Sequence, residues 1–243
     1  MTFTRYELDF PTAPNSKTAA GGIEGAIVEH KGGLGCLQPW TSLGDGPLES
    51  HIGALRRGAP TEMGRACLLS CAADAAAKRA GRSLLDGLKI PTSHHLWGGG
   101  ELEMDVEVIK VKTPDLVAKA PPQVRIRLDL NASMEAVEFE RWANALDASV
   151  RDRIDFVEDP VPYEAATWES LATATDLSFA LDRGPADATR GFAVRVWKPA
   201  CVPEPPAGEV FCITHNMDHE IGRQWAKYRA ATFEGELVEC GLV

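Results

Sequence analysis

Five short apolar runs, each ending in a charged residue, constrain this chain more than any other feature. They span 106–112, 124–131, 154–160, 177–182 and 193–199, and their tips carry Lys110 and Lys112, Asp129 and Asn131, Glu158, Asp182, and Lys198. Side chains alternate faces along a strand. Lys110 and Lys112 therefore share a face, as do Arg127, Asp129 and Asn131, with Val124, Ile126 and Leu128 opposite. An apolar strand with a charge at its C-terminal tip is what a (β/α)8 barrel with a site at its mouth requires. Asp129 and Glu158 are 29 residues apart, and Glu158 and Asp182 are 24 apart. A strand, a crossover helix and the next strand take roughly 30 residues. Helical periodicity fills the gaps at 134–150, through Val137, Trp142, Ala143 and Leu146, and at 164–174. Three carboxylates thus hold equivalent places in successive units. At one mouth they repel unless a cation sits among them, and hard oxygen ligands of this kind suit Mg2+. The competing reading is three ordinary solvated loop acids; the shared spacing and the flanking lysines weigh against it.

The rest of the chain sets the frame. Its 243 residues suffice for a large core. A net charge of −10 without a dense Lys/Arg block argues against a nucleic-acid surface. No apolar run is long enough for a membrane span, and residues 1–14 lack the regions of a signal peptide. Cysteines 36, 67, 71, 201, 212 and 240 form no CxxC pattern, and Cys67 and Cys71, four apart on an apolar helix face, read as reduced core residues. A cytoplasmic protein is expected.

Residues 1–88 are expected to form an α+β capping domain and 89–243 the barrel. The cap has strands at 3–10 and 23–30, a Gly-rich turn at 31–35, and helices at 48–57 and 61–80, the second turning Ala66, Leu69, Ala73 and Ala76 inward. The barrel region is short: 155 residues against roughly 200 for this fold. The 98–102 connection has no room for a helix, 112–124 is tight, and 199–206, with four prolines, is not helical. The expectation is a (β/α)8-type barrel trimmed of some outer helices. The outward apolar side chains Ile109, Val111, Trp197, Phe211 and Ile213 would then need a cover, either self-association of the chain or its own termini.

The ordered set Lys-x-Lys (110–112), Arg-Leu-Asp-x-Asn (127–131), Glu-x-Pro (158–160), Leu-Asp (181–182) and Lys-Pro (198–199) resembles the enolase superfamily, in its muconate-lactonizing subgroup. Gln-Pro-Trp-Thr-Ser-Leu-Gly-Asp-Gly-Pro-Leu-Glu at 38–49, followed by an alanine-rich helix, is similar to the o-succinylbenzoate synthase family within it. The resemblance implies Mg2+ held by Asp129, Glu158 and Asp182. It implies a small carboxylate substrate, with neither nucleic acid nor membrane as partner. It also implies syn dehydration of a cyclohexadiene carboxylate to o-succinylbenzoate in menaquinone biosynthesis. Lys112 would abstract the proton and Lys198 would stabilise the charge opposite.

The chemistry needs these types. Removing a proton next to a carboxylate puts two negative charges on oxygen, which a divalent cation stabilises. A lysine base must be neutral, and a neighbouring cation lowers its pKa toward that state. Lys110 is positioned to do this, or is an ordinary solvated lysine. Gly33–Trp40 is the candidate lid implied by the family, Trp40 serving substrate or core. Thr214, His215 and Asn216 match the turn that holds a substrate carboxylate in the family, and a helix N-terminus there favours an anion. Arg183 stands where the family has Glu; it weakens the metal or holds an anionic group. Asn131 completes the substrate set. The alternatives are an N-acylamino acid racemase or dipeptide epimerase using Lys112 and Lys198 from opposite faces, and a non-catalytic relative.

Overall fold

The computed structural model describes residues 1–15, 17–102 and 105–243. The cap begins with three antiparallel strands, β1 (Thr2–Phe10), β2 (Gly21–His30) and β3 (Gly33–Leu37), in that spatial order. Lys31 and Gly32, at φ 52° and 83°, make the two-residue turn between β2 and β3, a geometry that matches strand twist. Two helices, α1 (Leu48–Arg56) and α2 (Glu62–Arg79), pack on this sheet. α2 starts where Thr61 Oγ1 accepts the Gly64 N–H at 3.1 Å, an N-cap that satisfies one orphan donor.

The face α2 buries differs from expectation. Met63, Ala66, Cys67, Ser70 and Cys71 point inward, while Leu69 is 40% exposed. In so alanine-rich a helix the pattern hardly selects a face; the fit to β3 does. A Cβ at Gly33 would stand 1.9 Å from the Cys71 carbonyl oxygen, and one at Gly35 2.4 Å from that of Cys67. These glycines therefore serve backbone-to-backbone approach of strand and helix.

From residue 93 onward the chain builds a parallel sheet in sequence order: β4 (His95–Leu96), β5 (Val108–Val111), β6 (Arg125–Asp129), β7 (Ile154–Glu158), β8 (Phe179–Leu181), β9 (Val194–Trp197), β10 (Val210–Ile213) and β11 (Glu236–Leu237). The ring closes. Beyond β11, Cys240 pairs with Ser93, the His94 N–H donates to the Cys240 carbonyl at 2.9 Å, and the Cys240 N–H donates to Thr92 at 2.8 Å. The last strand thus lies between β10 and the start of the barrel.

The outer layer is trimmed. Among the described residues no helix links β4 to β5, β8 to β9 or β9 to β10. A four-residue α3 (Pro114–Val117) follows β5, α4 (Ala136–Asn144) and α5 (Ala148–Arg151) follow β6, α6 (Ala165–Thr175) follows β7 and α7 (Glu220–Ala231) follows β10. The outward apolar side chains are nonetheless covered. Trp197, Phe211 and Ile213 pack with Ala226 and Ala230 of α7 and with Phe233 and Val202, while Ile109 and Val111 pack with Val117, Leu116 and Leu102. The β8–β9 connector is pressed onto α6 at Gly191 (φ 81°), where a Cβ would lie 3.0 Å from that of Trp168. No helix among the described residues is long and apolar enough to cross a membrane.

One buried cation ties the closing seam. Arg127 is fully buried; its Nε donates to Asp155 and its Nη2 to Glu239, both at 2.8 Å, and its Nη1 meets the Glu239 carbonyl and His94 Nδ1. Burial, with Lys110 and Arg127 nearby, pushes His94 down to about 2, so its ring is neutral and Nδ1 accepts. Removing one partner of such a network leaves buried groups unmatched. Arg127→Met is expected to lose about 3–5 kcal/mol of unfolding free energy in urea titration. A loss below about 1 kcal/mol, the size of a surface ion pair, would show that Arg127 does not hold the seam.

Candidate active site

The tips converge. Lys110 comes from β5 and Lys112 just follows it; Asp129 and Glu158 end β6 and β7; Asp182 and Lys198 directly follow β8 and β9. All six line one cavity of about 280 Å3 at the mouth, with Asn131, Arg183 and Thr214. Lys110 Nζ sits 2.9 Å from Asp129 and 2.8 Å from Glu158, and Lys198 is paired with Asp182. Lys112 stands apart: its Nζ donates to the Pro14 carbonyl at 2.8 Å and is 3.9 Å from Asp129.

These partners split the lysines electrostatically. Burial alone would lower Lys110 and Lys198, but the carboxylates outweigh it and raise both above the usual lysine value. For Lys112 burial wins, reinforced by Lys110 and Lys198, and its pKa falls below the usual value. Two lysines are held charged and one is biased toward the neutral amine. Asp129 and Glu158 share Lys110 yet shift oppositely. Burial would raise both; Lys110 and Lys112 together hold Asp129 down, whereas Glu158, next to Asp129 and Asp182, stays raised.

Some predicted side chains support rather than face the cavity centre. Asn131 Nδ2 donates to Asp129 Oδ1 at 2.8 Å and so orients that carboxylate. Arg183 Nη1 donates to the Leu43 carbonyl at 2.9 Å and lies 3.5 Å from Asp45, latching cap to barrel. Trp40 Nε1 donates to the Asn216 carbonyl, and Asn216 Nδ2 to that of Gln38. Both border the cavity as buried struts of the cap–barrel joint. His215, pushed down to about 4 by burial, accepts the Met217 N–H on Nδ1. The N-terminus of α7 is capped by His219 Nδ1, which accepts the Ile221 N–H. The turn's donors are therefore largely taken, leaving Thr214 Oγ1 buried with no partner among the described residues.

The lid expectation is corrected. Residues 33–37 form a strand locked against α2, and 38–40 are fixed by the joint just described. The β1–β2 connector also reaches the mouth, through Pro14 on Lys112 and Asn15 on the cavity wall, beside Trp40 and Leu43. Sequence reading also missed Asp159. Its carboxylate accepts the backbone N–H groups of Asp182 (3.1 Å) and Arg183 (3.2 Å), fixing the β8 tip. An acid directly after Glu158 was its one visible signal.

An o-succinylbenzoate synthase N-terminal domain family matches residues 1–77. An o-succinylbenzoate synthase of Bdellovibrio bacteriovorus is 27% identical over 91% of this chain and 78% of its own length. The N-terminal third of the chain thus matches the o-succinylbenzoate synthase family, and most of its length is similar to one o-succinylbenzoate synthase. The crystal structure of o-succinylbenzoate synthase from Thermosynechococcus elongatus, with Mg in its active site, covers 99% of this chain and 91% of that one at TM-score 0.66 and 20% identity. A dipeptide epimerase from Enterococcus faecalis, complexed with Mg and a dipeptide, covers 99% and 88% at TM-score 0.77 and 13% identity. At these identities the two structures establish the shared capped-barrel fold.

The donor set fits Mg2+, which the Thermosynechococcus synthase holds in its active site. Among the described residues no three acidic, histidine or cysteine side chains are drawn into a metal shell, because lysine ammoniums sit on the carboxylates instead. Glu158 and Asp159 are both raised, by burial and then by neighbouring carboxylates. Asp129 and Asp182, each beside a lysine, are lowered instead, so the crowding of negative charge is local to Glu158 and Asp159. Asp129, Glu158 and Asp182 supply hard oxygens on three adjacent strands, as Mg2+ requires.

Proposed function

We propose that this protein is a Mg2+-dependent carbon–oxygen lyase that dehydrates a cyclohexadiene carboxylate to o-succinylbenzoate. The observation that carries the reading is the unequal pair of lysines facing across the three carboxylates. Lys112 is biased toward the neutral amine, while Lys198 is held charged by Asp182. Mg2+ bound by Asp129, Glu158 and Asp182 would draw off the negative charge that develops on the substrate carboxylate. Lys112 takes the proton from the carbon next to that carboxylate and then returns it to the departing hydroxide on the same face. Lys198, remaining an ammonium, offsets charge from the other side. Asn131 keeps Asp129 aimed, and the Pro14 carbonyl orients the Lys112 amine.

The epimerase reading draws on the higher TM-score of the dipeptide epimerase. In that chemistry each lysine serves one enantiomer. Incubating the protein with Mg2+ and either the hydroxylated cyclohexadiene carboxylate or Ala–Glu dipeptides in D2O separates the two. The expected result is an aromatic product from the first and no α-deuterium in the second. Deuterated dipeptide without dehydration would overturn the lyase reading.

A further inference from the structure

A second cavity, of about 640 Å3, lies between the cap and the barrel on the side where the connectors after β8 and β9 carry no helix. Met63 lines it from the cap, and Trp197, Cys201 and Val202 line it from the barrel. Its inner end touches Arg183 and Lys198, which also border the active-site cavity.

The anomaly in its wall is Arg195. This residue is 3% exposed. Its Nη2 reaches the carbonyls of Gly184 (3.4 Å) and Pro185 (3.2 Å), while Nε and Nη1 are buried with no partner. The other charges around the cavity are matched: Arg183 with Asp45, Lys198 with Asp182, and Glu62 with Arg65. Arg195 has no ion pair among the described residues: Asp182 and Asp159 act on it only from a distance, the Phe192 ring centroid lies 5.7 Å from its guanidinium carbon, and burial pushes its pKa down, which marks a cation costly to keep buried.

We propose that this cavity is a second binding site, for an organic anion whose acid group compensates Arg195 and whose apolar body lies against Met63, Trp197 and Val202. Among the described charges lining this cavity Arg195 is the one without an ion pair, and the apolar walls select an organic anion over inorganic phosphate. The proposal does not rest on the lyase reading: Arg195 lies outside the active-site cavity, although the two cavities share Leu43, Asp182, Arg183 and Lys198.

Cys201 supplies the test. It is half-buried, whereas the other five cysteines are buried, and it lines this cavity and not the active-site one; burial and then the Asp45 carboxylate push its thiol up, so labelling is run at alkaline pH. Alkylation of the full chain by iodoacetate and by iodoacetamide, read at Cys201 by peptide mass spectrometry, compares an anion with its neutral analogue. Benzoate should slow labelling by either reagent several-fold, and inorganic phosphate should not. Arg195→Met should abolish the benzoate protection, while Arg195→Lys should keep it. The same protection in Arg195→Met, or no protection by benzoate in the wild-type chain, overturns the proposal. Equal protection by phosphate overturns the organic anion. If Arg195→Met does not fold, the wild-type protection and the Arg195→Lys result decide alone.

Discussion

Lys112→Ala should lower turnover by on the order of 10^3-fold, within the range for loss of a general base, with little change in thermal stability. The side chain is partly exposed and its one close hydrogen bond is to the Pro14 carbonyl, so little packing is lost. Lys198→Ala should be comparably severe for a different reason. It removes the ammonium paired with Asp182, and Lys198→Arg, which keeps the charge, should recover part of the activity. Lys112→Arg should recover nothing, because a guanidinium does not deprotonate in the working range. The pH profile carries the same asymmetry. Lys112 works as the neutral amine, so kcat/KM should rise with pH through its pKa, which lies below the usual lysine value. Loss of that rising limb in a slow Lys112 variant would identify the base. Full activity in Lys112→Ala, or deuterium exchange persisting in it, would remove Lys112 from the mechanism.

How much of this was legible depended on what the backbone alone decides. The tips were readable because a parallel barrel delivers the end of every strand to one mouth: Lys110, Lys112, Asp129, Glu158, Asp182 and Lys198 meet there whatever the connectors do. The missing helices were readable too, since Pro199, Pro203, Pro205 and Pro206 cannot continue a helix. What failed was choice between equivalents. α2 has alanine on every side, so its buried face follows from the close approach at Gly33 and Gly35, which no periodicity encodes. Gly33 and Gly35 looked like turn residues of a lid for the same reason: a glycine that permits motion and one that permits contact read alike. Asn216 and Trp40 are polar and aromatic in a mouth segment, as a substrate contact would be, yet each spends its hydrogen bond across the cap–barrel joint. Direction of a side chain, as for Arg183 turning toward Leu43, depends on the partner element and is invisible in one sequence.

Chain freed of divalent ions by chelation should gain thermal stability when Mg2+ is restored, and should have no activity without it. At Mg2+ a hundredfold above Kd the gain is about 2.7 kcal/mol, by mass action on the folded state. The cation competes with an internal one. Lys110 lies between Asp129 and Glu158, so Mg2+ must take those oxygens from an ammonium, and its affinity reflects that exchange. Binding also competes with protons. Burial, and then Asp129, raise Glu158 above the usual glutamate value, so metal affinity should climb as pH rises through its pKa. Asp129→Asn should fold and melt cooperatively, since Lys110 keeps Glu158, yet show little Mg2+-dependent shift. Isothermal titration at two pH values and melts with and without EDTA measure each of these. Identical melting curves in Mg2+ and in EDTA for the wild-type chain, with activity unaffected by chelator, would exclude the three carboxylates as a metal site and leave Lys110 as their permanent counter-ion.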